Sequence, residues 1–399
     1  MDIPATAREK MCAAVRQLSC ETVSLDAAWA RTLAAPVIAM RDQPPFRASA
    51  MDGYAVRKQD LTPGVPLKII GVSAAGCGYV GALSPNTALR IFTGARVPEG
   101  ADCVVPQEVA AVESGSVRAK LPTADNIRER AVDFSAGARL IEPGTRLDGI
   151  TLSLAAAAGE PLLSVVKAPR VALLATGSEL VMPASEPRGD QIFESVSYGL
   201  MGLVSAWGGS PVRLESQADA IDAISHQAQE GLRQSDLLVT IGGASVGDHD
   251  LVKAALEPLD LEMIVNRVAI KPGKPTWFAR TRFGPVLGLP GNPVAALVCA
   301  YLFMRALMGC MLGRPSPCSV RTTRGRVLAR LPPNGKLEHY LRGWLETDPD
   351  GCLQVHPLEQ QDTSVLSALS QANALIRRPP DAAEANPGDL VDVIAIDRF

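Results

Sequence analysis

The sequence predicts a multidomain α/β protein. It combines a doubly wound, mostly parallel sheet domain with an inserted all-β module, a small helical linker domain and a C-terminal β domain. Three observations support this prediction. The chain has 399 residues, too many for one ordinary core. Apolar strand-like runs alternate with helical patterns from about 170 to 313. Short β-type runs separated by Pro and Gly fill the stretches on either side.

The first part of the chain is predicted to be helical on both sides of the inserted module. Residues 5–18 and 27–35 favour helices, and residues 148–160 favour an Ala-rich helix that ends at Gly159. Prolines and glycines recur between these helical pieces, which is typical of short strands and turns. The predicted domains are the linker domain (1–40 and 140–168), the β module (41–139), the α/β domain (169–317) and the C-terminal β domain (318–399).

The α/β domain contains one segment that could be mistaken for a membrane span. Residues 293–308 are almost entirely apolar, but Arg305 interrupts them and a glycine turn leads directly into them. These features favour a buried helix behind the turn. The helices predicted for this domain are 196–206, 219–233, 250–257 and 294–310.

Composition excludes several classes of partner. The formal net charge is −3, with 47% hydrophobic and 20% charged residues, so neither nucleic-acid nor membrane binding is expected. None of the eight cysteines lies in a CxxC pair, which favours reduced thiols in a cytoplasmic protein. The N-terminus has no signal-peptide pattern. The four histidines have no G-x-S-x-G partner, so a Ser/His/Asp triad is not supported.

Three apolar runs each end in a glycine-containing turn with small polar or charged groups. If all three are parallel strands, the turns share the carboxyl-end edge of the sheet, where open α/β sheets bind ligands. Glycine lets backbone N–H groups approach an anion closely. The acids in these turns would oppose a bare anion but suit phosphate held together with a divalent cation. The three turns are 176–180, 242–250 and 290–293.

The second turn carries the most specific local pattern. The Gly242-Gly243 backbone and the Ser245 hydroxyl can hold phosphate oxygens, while Asp248 and Asp250 can hold Mg²⁺ against them. No Gly-Lys-Ser/Thr follows, so this is not a Walker A loop.

A lysine pair lies on a proline-containing turn in the same domain. Lys271 and Lys274 are three residues apart, and Pro272 and Pro275 stiffen the chain between and beside them. Rigid paired ammonium groups suit an oxyanion, although an ordinary surface loop could show the same pattern.

The β module contains weaker signals. Asp52-Gly53 favours a turn whose carboxylate either binds a cation or substrate donor or is simply part of a loop. Thr93 lies in a hydroxyl-plus-glycine pattern of low specificity, and Asp133 ends a charged run that is usually a solvated face.

Together these blocks resemble the molybdopterin molybdenumtransferase family, which includes the bacterial MoeA proteins and the E domain of gephyrin. The matching stretches follow the family's order over nearly the whole chain, and the last three are highly specific in combination. They are 49–56, 92–95, Asp133, 176–180, 242–250, 269–275 and 288–293.

The resemblance implies an elongated four-domain protomer and a homodimer with its active site at the subunit interface. The β module of one protomer would reach the partner's α/β domain. Family members take adenylylated molybdopterin and molybdate, release AMP with a divalent cation such as Mg²⁺, and leave molybdenum on the pterin dithiolene. A molybdopterin adenylyltransferase and molybdoenzyme-maturation factors are the further partners that this resemblance suggests.

The resemblance also implies roles for individual residues. The predicted catalytic residues are Asp52, Thr93, Asp133, Glu179 and Asp250, of which Asp52, Glu179 and Asp250 are also the predicted metal ligands. The predicted binding residues are Gly242, Gly243, Ser245, Asp248, Lys271, Pro272, Lys274 and Pro275, with Arg342 and Ser370 as weaker oxyanion candidates.

The chain departs from the family pattern at several positions. Arg47-Ala48 replaces the usual Asp-Asn, 193–196 lacks the usual Asn, and 361–364 replaces a Gln-Gly-Ser-His-type signature. Two alternatives therefore accompany the transferase: a carrier that binds the pterin nucleotide without chemistry, and a nucleotide or pyrophosphate hydrolase that shares the α/β domain.

Overall fold

The computed structural model describes residues 1–216, 220–243 and 251–396. The helices are α1 (Pro4–Ala13), α2 (Gly149–Ala158), α3 (Val196–Ala206), α4 (Ile221–Gln234), α5 (Leu251–Leu256), α6 (Pro293–Cys299), α7 (Arg305–Met311) and α8 (Leu366–Gln371). A π-helical segment, Ala300–Met304, joins α6 to α7. Short 3₁₀ turns span Leu25–Ala27, Lys58–Asp60, Gln107–Val109 and Glu257–Leu259.

The strands of the N-terminal 168 residues form small antiparallel or mixed sheets. They are β1 (Cys20–Ser24), β2 (Thr32–Leu33), β3 (Val37–Ile38), β4 (Ala48–Ser49), β5 (Gly53–Val56), β6 (Leu67–Ser73), β7 (Thr87–Ile91), β8 (Cys103–Pro106), β9 (Ala111–Glu113), β10 (Ser116–Arg118), β11 (Ile127–Arg128), β12 (Arg139–Ile141) and β13 (Leu162–Val166).

The remaining strands belong to the α/β domain and the C-terminal domain. They are β14 (Arg170–Ala175), β15 (Leu180–Val181), β16 (Ile192–Phe193), β17 (Ser210–Arg213), β18 (Leu237–Ile241), β19 (Glu262–Val265), β20 (Ile270–Lys271), β21 (Trp277–Thr281), β22 (Gly284–Leu289), β23 (Thr323–Val327), β24 (Glu338–Thr347), β25 (Leu353–Pro357), β26 (Ala374–Arg378) and β27 (Leu390–Ala395).

The linker unit is built from short strands as well as helix α2. The sheet β1-β13-β2 and the pair β12-β3 enclose a core that includes Leu33 and Val165. Helix α2 begins at a capping box, in which the Asp148 carboxylate accepts from the Thr151 amide, and it ends at Gly159 with φ +94°. The prediction of this helix is therefore confirmed.

The helix predicted for residues 27–35 is wrong. A 3₁₀ turn ends at Ala27, and Thr32–Leu33 forms strand β2, which pairs with β13. The Leu33 amide also donates to the Thr145 carbonyl at 2.9 Å, and Leu33 is 1% exposed. Strand pairing and burial with residues more than 100 positions away therefore override the local helical preference.

The inserted module is an all-β unit with its own core. Its six-stranded sheet has the order β8-β5-β7-β6-β10-β9, and the pair β11-β4 lies beside it. Side chains of Leu89, Ile91 and Val104 fill one core cluster, while Val56, Val105 and Val117 fill another. The alternation of β7 and β8 residues between two clusters is what a sheet with both faces covered requires.

The α/β domain has a sheet with the order β17-β14-β18-β22-β21-β19. Strands β17, β14, β18 and β22 are parallel, and β21 and β19 continue the sheet in antiparallel orientation. Alternate residues of β14 enter different core clusters, with Leu173 on one face and Leu174 on the other. Helices thus cover both faces, as a doubly wound sheet requires.

The long apolar helix runs from Pro293 to Met311 through the core of this domain. By length and composition it could cross a membrane, but 78% of its most apolar window is buried inside the protein. Its Phe303, Leu307 and Met308 pack with Leu287 of β22 in the larger core cluster. The prediction of a buried helix is confirmed. Helix α1 packs on the same core through Ala7 and Met11, so it adjoins the α/β domain rather than the linker core.

The C-terminal domain is a six-stranded sheet with the order β20-β24-β25-β23-β27-β26, and β24 also pairs with β26. Strand β20 comes from the α/β domain and adds to β24 in parallel, with Lys271 opposite His339. This shared pairing fixes the C-terminal domain against the lysine-bearing turn.

We predict that Gly288→Ala destabilises the α/β domain. A Cβ atom at residue 288 would lie 2.0 Å from Cε2 of the buried Trp277, so the core must shift, at a cost of about 1–3 kcal/mol. Gly149→Ala is the matched control: nothing lies within 4 Å of its Cβ position, at the start of α2. Urea unfolding should show a lower midpoint for Gly288→Ala and an unchanged or slightly higher one for Gly149→Ala. Equal midpoints would contradict this packing.

Candidate functional site

The three glycine turns meet at the carboxyl-end edge of the parallel strands. Strands β14, β18 and β22 end at Ala175, Ile241 and Leu289, which are in register across the sheet. A cleft of about 820 Å³ lies directly beyond these ends. Its lining residues include Thr176, Gly177, Glu179, Glu194, Ser195, Gly242, Gly243, Pro275, Pro290, Gly291, Asn292 and Ser364.

Close backbone packing makes glycine necessary in the middle turn. Gly242 has φ +90° and Gly243 has φ +63°, both in the left-handed region. A Cβ at residue 242 would lie 2.5 Å from the Thr176 carbonyl oxygen, and one at residue 243 would lie 2.3 Å from Cγ2 of Val252. The two turns therefore touch through their main chains, and a cleft ligand can approach that main chain. Of the predicted site residues, Ser245, Asp248 and Asp250 lie outside the described residues.

Glu179 is the predicted acid that the structure places at the cleft. It follows β14 by four residues, and its side chain is exposed. A Cβ at Gly177 would lie 2.6 Å from Oε2 of Glu179, so the carboxylate folds back over the glycine backbone. This location leaves the carboxylate oxygens available to a hard cation in the cleft.

Glu194 also lines the cleft, although it is not among the predicted site residues. It is 3% exposed, and its carboxylate accepts hydrogen bonds from the amide and hydroxyl of Ser197 at the start of α3. A carboxylate at this position satisfies a free helix N–H and complements the helix dipole. Residues 193–196, where the chain departs from the family pattern, thus still shape one wall of the cleft.

The C-terminal domain contributes another wall through the segment 360–364. Ser364 lines the cleft, and Thr363 accepts from the Asn292 side chain at 3.0 Å and from the Val294 amide at 3.1 Å. This contact joins the C-terminal domain to the start of helix α6. In the sequence, only the resemblance to a family signature at 361–364 drew attention to this segment.

Arg342 is hydrogen-bonded to the backbone of that segment from its buried side. It is 1% exposed, and its Nη2 donates to the carbonyl oxygens of Gln360 at 3.3 Å and Asp362 at 3.1 Å. Burial lowers the pKa of Arg342. The structure therefore places Arg342 beneath the cleft wall, not at its surface, and its role toward an oxyanion stays a prediction. Ser370 lies on α8, where its hydroxyl donates to the Ser367 carbonyl at 2.7 Å.

The lysine turn is anchored on the long helix. Pro272 and Gly273 are buried, and a Cβ at Gly273 would lie 2.1 Å from the Cys299 sulfur. Lys271 and Lys274 are exposed, and Pro275 lines the cleft. The lysines thus project from a fixed turn at the side of the cleft, beyond its described lining.

The pKa of His339 reflects its burial and the positive charge around the lysine turn. His339 is opposite Lys271 in the β20–β24 pairing. Burial, together with the positive charges of Lys271 and Arg378, lowers the pKa of His339. His339 is therefore neutral near pH 7, and the positive charge of this surface comes from the neighbouring lysine and arginine.

Asp52 and Thr93 form a second cluster, within the β module. The Thr93 amide donates to Oδ1 of Asp52 at 2.7 Å, and the Thr93 hydroxyl donates to the same atom at 2.8 Å. These hydrogen bonds, with a smaller contribution from Arg90, lower the pKa of Asp52. Asp52 is thus a fixed carboxylate with one oxygen left for another ligand.

Asp133 lies on the loop that follows β11 in the same module. Its amide donates to the Gln43 carbonyl at 3.0 Å, and its side chain is exposed. The strand that leads into this loop, β11, pairs with β4, which ends three residues before Asp52. Asp52, Thr93 and Asp133 therefore all belong to the β module, and the structure brings Asp52 and Thr93 into direct contact.

The module and the cleft are separate within one chain. No described residue between 41 and 139 lines the cleft. One protomer thus carries two separate groups of predicted site residues. Asp52, Thr93 and Asp133 belong to the module, and Glu179 and the glycine turns lie at the sheet edge.

We predict that Asp52 stabilises the fold in a pH-dependent way. Because its folded pKa lies below its unfolded value of about 3.9, the stabilisation is present above that pH and is lost as the pH falls through the folded pKa. The thermal midpoint of wild type should exceed that of Asp52→Asn between about pH 5 and 8, with the difference shrinking below about pH 4. Thr93→Val, which keeps the amide donor, should show a smaller deficit. A difference that persists unchanged at low pH would contradict this assignment.

Comparison with known proteins identifies the family. Residues 4–159 match the MoeA N-terminal region (domain I and II), residues 172–309 match a probable molybdopterin binding domain, and residues 324–396 match the MoeA C-terminal region (domain IV). A Nostoc protein named molybdopterin molybdenumtransferase is 33% identical over 91% of this chain and 86% of its own length. The Bacillus subtilis protein of that name is 30% identical over 97% and 92%, respectively.

A solved structure agrees along the whole length. The crystal structure of a molybdopterin biosynthesis MoeA protein from Pyrococcus horikosii superposes with a TM-score of 0.83, at 26% identity, and the match covers 100% of this chain and 99% of that one. The domain matches, the curated relatives and the shared architecture together show that this chain belongs to the molybdopterin molybdenumtransferase family.

Proposed function

We propose that this protein inserts molybdenum from molybdate into adenylylated molybdopterin and releases AMP. The observation that supports this most is the cleft where three glycine turns meet, in a chain of the molybdenumtransferase family. The cleft offers close main-chain approach, a carboxylate and a neighbouring cationic turn. A substrate that carries both a phosphate linkage and an oxyanion needs all three. A non-catalytic carrier is not favoured, because the curated relatives are named as transferases.

The glycine turns would hold the phosphates of the pterin nucleotide. The Gly242-Gly243 main chain lies open to the cleft in a conformation that residues with a Cβ rarely adopt. Main-chain N–H groups in such turns bind anions without the entropy cost of ordering a long side chain. Ser245 and Asp248 would complete this binding surface.

The lysine turn would hold molybdate. Molybdate is a tetrahedral dianion, so it requires cationic donors fixed at a set distance. Lys271 and Lys274 extend from a backbone that is fixed between β24 and the long helix. Pro272 and Pro275 keep this backbone rigid, and Pro275 also contacts the cleft.

The cleft fits a divalent cation such as Mg²⁺. Glu179 presents exposed carboxylate oxygens, the hard donors that Mg²⁺ prefers, whereas Glu194 already accepts hydrogen bonds from Ser197. Glu179 and Asp250 would hold the cation, with Asp52 approaching from the module. When bound, the cation would neutralise negative charge on the phosphate linkage as AMP leaves.

A second protomer would supply the module's residues. Met51 and Phe92, next to Asp52 and Thr93, are 40% and 38% exposed. At the cleft rim, Ile192 and Phe193 are 56% and 48% exposed. Two exposed apolar surfaces, each beside half of a set of functional groups, are complementary in a symmetric dimer. Asp52, Thr93 and Asp133 would then face the partner's cleft.

The cellular setting follows from the chemistry. The pterin dithiolene is sensitive to oxidation, and the described cysteines are all free thiols. We therefore place the reaction in the cytoplasm. A molybdopterin adenylyltransferase would supply the substrate, and molybdoenzyme-maturation factors would accept the product.

We predict that the double variant Lys271→Ala/Lys274→Ala loses molybdate-dependent AMP release by at least about 10²-fold, because the oxyanion loses its fixed cations. Purified protein would be incubated with adenylylated molybdopterin, Mg²⁺ and molybdate, and AMP would be quantified. Lys68→Ala/Lys120→Ala removes two exposed lysines of the β module and serves as the matched control. Unchanged turnover in the first variant, with or without molybdate, would instead indicate a pyrophosphate hydrolase.

We also predict that Asp250→Ala abolishes turnover while the dimer still forms, because the variant removes a proposed metal ligand and leaves the apolar surfaces proposed for the dimer contact unchanged. AMP release measures the first effect, and light scattering measures the second. Near-normal turnover would remove Asp250 from its proposed role.

A further inference from the structure

Three cysteine thiols meet at the end of the long helix Pro293–Met311 that is opposite to the cleft. The Sγ atoms of Cys12, Cys310 and Cys318 all lie within 4.8 Å of one another. Cys12 is in the last turn of α1, Cys310 is near the end of α7, and Cys318 is in the segment that connects the α/β domain to the C-terminal domain. We propose that these three thiols bind a thiophilic d¹⁰ cation, with Zn²⁺ as the first candidate and Cu⁺ as the second.

The distances fit three sulfur ligands of one ion. Zn–S bonds of about 2.3 Å place the sulfurs of a tetrahedral site about 3.8 Å apart. The observed upper limit of 4.8 Å requires a contraction of about 1 Å at most. Cys318 can provide this movement, because it lies outside any helix or strand, between Ser316 and Ser319.

A buried cation next to the thiols provides independent support. Arg8 is 8% exposed, and its Nε donates to the Cys318 carbonyl at 3.1 Å. Its Nη1 is buried and has no hydrogen-bond partner among the described residues. A buried guanidinium without a full set of partners is costly unless a negative group is near it. Three thiolates around Zn²⁺ carry a net charge of −1, which Arg8 would balance.

A cation would bind the thiolate form of the three cysteines, so it would displace the thiol protons and release them to solvent. The group contains no fourth Cys, His or carboxylate donor among the described residues, so water would complete a Zn²⁺ site, whereas Cu⁺ accepts three sulfurs alone.

Such an ion would link helix α1, the end of α7 and the segment that contains Cys318. Helix α1 already contacts α7, and the Leu18 amide donates to the Met311 carbonyl at 2.8 Å. Arg8 holds the backbone of the segment with Cys318 through one hydrogen bond. A bound cation would therefore restrain the connection between the α/β domain and the C-terminal domain, whose segment 360–364 forms a cleft wall.

The test uses the full-length reduced protein after chelator treatment. Zn²⁺ alone is titrated in competition with a chromophoric chelator, and Co²⁺ is added separately to detect thiolate-to-metal charge-transfer absorption. Cu⁺ is titrated under anaerobic conditions to distinguish the two candidates. We expect one tightly bound ion per protomer and a higher thermal midpoint with one equivalent of metal, because the ion binds only the folded state.

Variants assign the ion to this site. Cys310→Ser and the milder Cys318→Ser should each weaken binding at least tenfold and abolish the metal-induced rise in midpoint. Cys77→Ser and Cys352→Ser, which alter exposed thiols outside the group, should bind as wild type does. Circular dichroism of each metal-free variant verifies the fold. No stoichiometric uptake by wild type, equal uptake by the Cys310 and Cys318 variants, or a disulfide within the group in reducing buffer would overturn the proposal.

Discussion

The contact between the main chains of neighbouring glycine turns is the constraint on which the rest of the site depends. The Thr176 amide donates to the Ile241 carbonyl, and the Gly242 amide donates to the Leu289 carbonyl. The ends of β14, β18 and β22 are therefore hydrogen-bonded to one another in register. A Cβ at residue 242 or 243 would push these chains apart. The same absence of side chains leaves the main chain of Gly242 and Gly243 open to the cleft. Structural packing and anion binding thus require the same residues.

The second constraint is that the proposed functional groups are divided between the β module and the sheet edge of the α/β domain. A sheet edge can supply backbone donors and acids, but its turns are too short to surround a large substrate. The β module has the fixed Asp52–Thr93 pair, and none of its residues lines the cleft at the sheet edge. Separate cores keep each constellation rigid, and assembly of two protomers would bring them together. This arrangement would also exclude water only when both partners are present.

The sequence predicted those features that depend on local pattern. The apolar runs and their turns identified the parallel sheet edge, and the Ala-rich run that ends at Gly159 identified α2. The sequence did not predict features that depend on contacts between residues far apart in the chain. Strand β2 forms because Leu33 pairs with β13. Ser364 lines the cleft because the C-terminal domain contacts the start of α6 through Thr363, and Arg342 is buried because it donates to the carbonyls of Gln360 and Asp362. None of these contacts has a local signature.

The most direct test of the account is complementation between two inactive variants. Asp52→Asn alters the module, and Lys271→Ala/Lys274→Ala alters the cleft. If each site combines the module of one protomer with the cleft of its partner, a mixed dimer contains one intact site and one doubly altered site. Random one-to-one mixing of the subunits should then restore molybdate-dependent AMP release to about a quarter of the wild-type rate. If the mixture stays as inactive as either variant alone, although mixed dimers form, the two-protomer site is contradicted.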